Sequence, residues 1–171
     1  MTKVPNNRKE WEVNPLTGIG PLKLGMSRTE LHTLLGEPED SFQDGPEEPL
    51  TDTWFEEQLF VFYTATEAVD YIEVHGFRSK YLMLELAGKD VFTTKAGELV
   101  DHIEKKGMDA YLRESPELPY GYIFPGIALS LYRPFIPMEY EKDEQDDGHG
   151  KGHYFETLGL GVQGYFDEEL N

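Results

Sequence analysis

The stretch GIGPLKLGMSRTELHTLLGEP, residues 18–38, decides the fold that the sequence predicts, because it contains a complete set of helix signals. Ser27 stands at an N-cap position, and Glu30 three residues later completes a capping box. Leucines at helical spacing then give the segment one apolar face. Gly36 permits a left-handed stop and Pro38 prevents continuation, so the stretch predicts a short amphipathic helix.

The segments that flank this helix have loop and strand signals. We expect residues 1–14 to form a loose polar arm, and residues 37–52 to form a loop because prolines and a glycine interrupt them. Residues 53–64 and 68–75 are rich in aromatic and β-branched side chains, which favour strands. The first half therefore predicts a helix followed by an antiparallel meander that packs on it.

The same order of elements recurs in the second half. Thr93 or Thr94 is placed to cap a second helix, in which the apolar residues within 96–103 follow helical spacing. Gly107 marks its end, and strand candidates follow within residues 120–166. A chain in which the same order of elements occurs twice is typical of a tandem repeat.

We therefore predict an α+β fold in one domain, residues 1–171. It consists of two tandem α-β-β-β units, at about 15–77 and about 80–171, whose antiparallel sheet or sheets pack on the helices. An apolar signal-peptide core is missing from the N-terminus, and no run is long enough for a membrane span, so we expect a cytoplasmic protein.

A resemblance to a known module supports this order of elements. The helix at 18–38 and the following TDTWFEEQLFVFYTATEAVDYIEVHGF, residues 51–77, resemble the helix-plus-meander module of SmpA/OmlA-type lipoproteins and β-lactamase inhibitor protein. The resemblance implies the fold, and it implies kinship with uncharacterised bacterial proteins, some of which are immunity partners of toxins. The lipoprotein role is contradicted by the absence of a lipobox cysteine. No inhibitory loop of that family aligns with this sequence.

The charge balance restricts the classes of partner. Fifteen Lys and Arg residues against 33 Asp and Glu residues give a formal net charge of −18. Nucleic acids and anionic membrane surfaces need cationic partners, so we expect neither to be a direct ligand. The field of such a chain speeds association with a basic protein instead. An acidic composition also serves solubility alone, and that alternative stays open.

The acidic residues are concentrated in blocks. Nine lie between Glu37 and Glu57 without any Lys or Arg, and six lie within 139–147, where Lys142 is the only cation. Such blocks mark solvated loops, and blocks that converge form a binding face. We expect partner contact from Glu47, Glu48, Asp52, Trp54, Glu56, Glu57, Glu141, Asp143, Glu144, Asp146 and Asp147.

Metal and catalytic motifs are weak. His149 and His153 frame an acidic glycine-rich segment in which imidazole and carboxylate ligands for Zn or Ni could meet. Residues 143–148 match the start of an EF-hand loop, but Tyr154 stands where a bidentate glutamate is required. The chain has no cysteine and no Gly-x-Ser-x-Gly motif, so no nucleophile is predicted. We predict no cofactor and no enzyme.

Charge and resemblance together favour an acidic, cytosolic protein-binding inhibitor. The leading prediction is an immunity protein that neutralises a basic toxin domain, with acidic loops pairing with its Lys and Arg residues. A non-catalytic housekeeping or scaffold protein is the main alternative. A metal-dependent enzyme is the third, and it would require metal in the purified protein.

Overall fold

The computed structural model describes residues 8–76, 80–137 and 152–170. Within these residues the chain forms twelve strands in two sheets, together with two α-helices and short 3₁₀ turns. The helices are α1 (Arg28–Leu35) and α2 (Ala96–Lys105). The strands are β1 (Lys9–Asn14), β2 (Gly18–Ile19), β3 (Leu22–Lys23), β4 (Asp40–Phe42), β5 (Thr51–Trp54), β6 (Leu59–Tyr63), β7 (Val69–His75), β8 (Leu82–Leu86), β9 (Lys89–Asp90), β10 (Gly121–Phe124), β11 (Leu129–Tyr132) and β12 (Thr157–Gly161).

The larger sheet has seven strands in the order β10-β11-β12-β7-β6-β5-β4, and every neighbouring pair is antiparallel. The meander that follows α1 and the meander that follows α2 meet at its centre, where β7 pairs with β12. The smaller sheet has the order β3-β2-β1-β8-β9. Its central strands, β1 and β8, are parallel and place Trp11 opposite Leu84.

Both sheets and both helices contribute to one apolar core. Leu31 of α1 and Leu99 of α2 belong to the same buried cluster as Trp11 of the smaller sheet and Ile72 of the larger one. Alternation along the strands assigns the faces of the larger sheet: Ile72 and Val74 are buried, whereas the intervening Glu73 is only partly covered. We call the face that carries Glu73 the outer face.

The first helix was predicted correctly. It begins at Arg28 after the N-cap Ser27, whose hydroxyl accepts a hydrogen bond from the Glu30 amide at 3.1 Å. Gly36 ends it with a φ of 84°, a conformation that side chains with a Cβ rarely adopt. Only Leu31 of this helix is fully buried, so α1 needs polar contacts to hold it on the sheet.

The threonine cap predicted for the second helix was wrong. Lys95 occupies the N-cap position of α2 and makes no side-chain cap bond. The preceding turn is held by Asp90 instead, whose Oδ1 accepts bonds at 3.0 Å from the amides of Phe92 and Thr93. Asp90 lies three residues before Thr93, and α2 begins at Ala96, later than predicted.

The predicted α+β class was also wrong, because the fold is mostly β. The helices have only eight and ten residues, and two sheets rather than helix packing form the framework. Residues 1–14, expected as a loose arm, contain β1, whose Trp11 and Val13 are buried. The expected loop 37–52 contains β4. The division into repeats at about 15–77 and about 80–171 stays a prediction.

Candidate functional site

A buried carboxylate, Asp52, joins α1 to the inner face of the larger sheet. Its exposed fraction is 0%. Arg28 of α1 donates from Nε to Oδ2 and from Nη2 to Oδ1, both at 2.9 Å, and His32 Nε2 lies 2.7 Å from Oδ2. Ser41 donates to Oδ1 at 2.6 Å and Tyr63 to Oδ2 at 2.8 Å. We call these five residues the Asp52 cluster.

Two members of the Asp52 cluster, Asp52 and Arg28, stabilise each other in their ionised forms. Burial by itself would raise the pKa of Asp52, but the hydrogen bonds, that from Arg28 first, outweigh it and hold the pKa well below the usual carboxyl range. The bond to Asp52 in turn raises the pKa of Arg28. Every acceptor position of the carboxylate is occupied, so no lone pair is free for a substrate. The cluster is therefore a clamp between α1 and strands β4, β5 and β6.

The residues predicted for partner contact are not brought together. Asp52 and Trp54 are buried, and the Trp54 indole donates to the carbonyl of Gly36 at 3.2 Å, so neither side chain faces a partner. The four exposed glutamates lie at opposite ends of β5: Glu47 and Glu48 before it, and Glu56 and Glu57 after it. Predictions for Glu141, Asp143, Glu144, Asp146 and Asp147 fall outside the described residues.

Two acidic grooves lie beside one another on the larger sheet. The first, which we call the sheet groove, has a volume of about 620 Å³ and crosses the outer face of β7, β12, β11 and β10. The second, the loop groove, has a volume of about 750 Å³ and lies between the β4–β5 and β6–β7 connections. The acidic residues that line them are Glu73, Glu117 and Glu156 in the sheet groove, and Glu47, Glu48, Glu67 and Asp70 in the loop groove.

Two of these carboxylates, Asp70 and Glu156, are partly buried without a hydrogen-bond or ion-pair partner among the described residues. Burial raises the pKa of both side chains. Among the described lining residues, neither groove contains a lysine or an arginine. Glu67 bonds to Arg28 Nη1 at 3.2 Å and Glu73 to His75 Nε2 at 2.6 Å. The grooves thus present carboxylates that the described part of the chain leaves only partly neutralised.

Stacked tyrosines separate the two grooves. The rings of Tyr71 and Tyr165 lie 4.5 Å apart at an angle of 14°. Tyr165 lines the loop groove, and the Tyr71 hydroxyl bonds at 2.9 Å to Ser130, which lines the sheet groove. Tyr71 reaches Ser130 across β12 only because Gly159 has no side chain, since a Cβ there would collide with the Tyr71 hydroxyl.

Most of these groove carboxylates were missed by the sequence reasoning, which searched for blocks of acid. Asp70, Glu73 and Glu156 stand singly in or beside strands, so they form no block. The alternation within VDYIEVH, residues 69–75, is the signal that could have placed Glu73 on an exposed face. Glu47 and Glu48 are the predicted residues that do line a groove.

In the part of the chain that the structure describes, no group of three or more His, Cys, Asp or Glu side chains is placed to hold a metal ion. Residues 143–148 and His149, on which that hypothesis depends, lie outside the described ranges. Neither α-helix in those ranges has the length and apolarity needed to cross a bilayer. The predicted cytoplasmic location stays a prediction.

No protein-family model, curated protein or solved structure matches this chain. The resemblance of residues 18–77 to the SmpA/OmlA-type module therefore stays a prediction. The function has to be argued from the geometry of the two grooves and from the charge of the chain.

Proposed function

We propose that the protein binds a basic protein partner through the two grooves of its larger sheet. The observation that carries the proposal is the pair of partly buried carboxylates, Asp70 and Glu156, which have no partner among the described residues. Partial burial removes water from an ionised carboxylate, and a cation in contact with it offsets that loss. A lysine or arginine of a partner would supply such a cation at each groove.

Exposed aromatic side chains beside the carboxylates support a protein partner. Tyr132, at the sheet groove, is 45% exposed, and Tyr165, at the loop groove, is 39% exposed. Tyrosine is enriched at the energetic centres of protein interfaces, because its ring buries apolar area while its hydroxyl remains hydrogen-bonded. The net charge of −18 favours a basic partner by accelerating encounter.

The finer prediction concerns what the partner does. An immunity protein and a toxin domain are implied by the resemblance, whereas a housekeeping scaffold would use the same surface for a different basic protein. Both belong to the protein-binding class that the grooves support. A toxin gene beside this one in its genome would favour the immunity role.

Affinity capture from the native host tests the proposal, with the captured proteins identified by mass spectrometry. The wild-type chain is compared with the double variant Asp70→Asn/Glu156→Gln, and the matched control is Glu56→Gln/Glu57→Gln in the exposed β5–β6 turn. A basic protein should be captured by the wild type and the control, lost with the groove variant and released by rising salt. If the amount of captured protein changes neither with the groove substitutions nor with the salt concentration, the proposal is contradicted.

A further inference from the structure

Two arginines of the described chain, Arg113 and Arg28, share one kind of environment. Arg113 shows it most clearly: its guanidinium carbon lies 3.6 Å from the ring centroid of Tyr111. Its Nη2 also donates to both carboxylate oxygens of Glu104, at 3.1 and 2.8 Å. Arg28 likewise combines a ring with a carboxylate, lying 5.8 Å from the ring of Tyr63 and bonding to Asp52. An aromatic face beside a carboxylate thus holds these two guanidinium groups, whereas Arg133 donates to the backbone carbonyls of Pro119 and Gly152.

The sheet groove offers the same two groups without an arginine among its described lining residues. Tyr132 of β11 is exposed, and its carbonyl accepts a hydrogen bond from the Glu156 amide at 2.8 Å. On its other side Tyr132 pairs with Gly121 of β10. The carboxylate of Glu117 lies over Gly121, where a Cβ would approach its Oε2 to 2.6 Å. Tyr132 thus has Glu117 over its partner on one neighbouring strand and Glu156 bonded to its backbone on the other side, and all three residues line the sheet groove.

The rest of the sheet groove suits the aliphatic part of a long cationic side chain. Ile123 and Pro134 are among its lining residues, and they add apolar surface to the carboxylates. Arginine and lysine both bury their methylene groups along such surfaces while the charged group stays at the polar end. Shape and charge therefore both point to a cationic side chain as the occupant.

We propose that the basic partner inserts an arginine into the sheet groove, with its guanidinium group on Tyr132 between Glu117 and Glu156; this inference rests on the proposed function. Arginine is favoured over lysine because its planar group stacks on an aromatic face and presents five donors, enough to serve two carboxylates at once. A lysine ammonium is compact and strongly hydrated, and it gains less from the ring.

Solution NMR with two small probes tests the choice of arginine. The full chain, labelled with ¹⁵N, is titrated with acetyl-Gly-Arg-Gly-amide and, separately, with acetyl-Gly-Lys-Gly-amide. Amide signals of Gly121, Tyr132 and Thr157 should move, because these residues pair across the floor of the sheet groove. The arginine peptide should bind about threefold more tightly, the size of a cation–π contribution at an exposed site.

Variants distinguish the contribution of the Tyr132 ring to peptide binding from that of the carboxylates. Tyr132→Leu should abolish the preference for arginine, whereas Glu156→Gln should weaken both peptides by about fivefold, the upper range for an exposed ion pair. Glu117→Gln provides a second carboxylate variant if Glu156→Gln disturbs the fold, which the dispersion of the amide signals reports. Glu114→Gln, exposed and outside both grooves, is the matched control and should leave both affinities unchanged.

The outcomes distinguish this inference from the proposed function. Equal binding of the two peptides, or signal changes confined to the loop groove, overturns the arginine assignment while capture of a basic partner still supports the function. If neither peptide moves a signal at millimolar concentration, and the groove variant captures the same proteins as the wild type, both the assignment and the function are refuted.

Discussion

Replacing Asp52 with asparagine removes the charge at the centre of the Asp52 cluster while keeping the size of the side chain. Arg28 would then lose its carboxylate partner although its side chain is only 24% exposed, with Glu67 as its remaining ion-pair partner. Tyr63 and Ser41 would each retain a donor directed at a neutral amide. The clamp between α1 and the sheet should weaken, because Leu31 is the only other deeply buried anchor of this helix.

Breaking a buried ion pair by removing one partner destabilises a protein by about 3–5 kcal/mol. We expect the lower end of that range, about 3 kcal/mol, because Arg28 can turn to water and to Glu67. For a chain of this length the loss corresponds to a decrease of about 6–12 °C in the melting temperature. Urea unfolding followed by tryptophan fluorescence measures the change, and Asp40→Asn on the exposed edge strand β4 is the matched control.

The pH dependence gives the same prediction a second test. The pKa of Asp52 is lower in the folded chain than in the unfolded chain, so its contribution to stability is present above the unfolded value and is lost as the pH falls. The difference between wild type and Asp52→Asn should be full above about pH 5 and should shrink below about pH 4. A variant that unfolds within about 0.5 kcal/mol of the wild type at pH 7 would refute the clamp.

Three further predictions concern the core, the tyrosine stack and the grooves. Trp11→Ala should lower the free energy of unfolding by about 3–5 kcal/mol in urea titrations, because it leaves a cavity in the core that both sheets share. A loss below about 1 kcal/mol would place Trp11 outside that core. Gly159→Ala should displace Tyr71 and lower the melting temperature in calorimetry, and an unchanged value would contradict the predicted collision. Asp70→Asn/Glu156→Gln should raise the urea midpoint at pH 7, because burial raises the pKa of both side chains and so disfavours their ionised forms. This gain in stability should disappear below about pH 4, where both carboxyl groups are protonated in the unfolded chain as well. A lowered midpoint would mean that these carboxylates have stabilising partners.

Such a gain in stability would support the proposed function as well. A site that holds partly desolvated charges for a partner is less stable than a neutral replacement until the partner binds. If the double variant is more stable and also loses capture of the basic partner, the two carboxylates are retained for binding. If it is more stable and still captures that partner, they serve another purpose.

Features that depend on a few neighbouring residues could be predicted from the sequence. The cap of α1 is formed by Ser27 and the amide of Glu30, three residues apart, and Gly36 ends the helix with a positive φ. The strand-favouring runs 53–64 and 68–75 likewise contain β6 and β7. The net charge of −18 depends on no contact at all, and the prediction of a basic partner rests on it.

Features that depend on distant residues could not be predicted in this way. The short extended segments β1 and β4 are strands only because β8 and β5 pair with them, and a single sequence does not specify those partners. This pairing converts the expected helix-packed fold into two sheets. It also explains why the grooves were missed, since their carboxylates come from strands and connections that are separate in sequence.

Asp52 shows, within one residue, which properties the sequence determines and which depend on the fold. By sequence alone it is one of nine acidic residues between Glu37 and Glu57, and an acidic block predicts a solvated surface. The tertiary structure places it opposite Ser41 and beneath Arg28, at sequence separations of 11 and 24 residues, and so buries it. The sequence determined its charge, and the fold decided whether water or the protein's own donors would neutralise it, because burial depends on what packs around a residue.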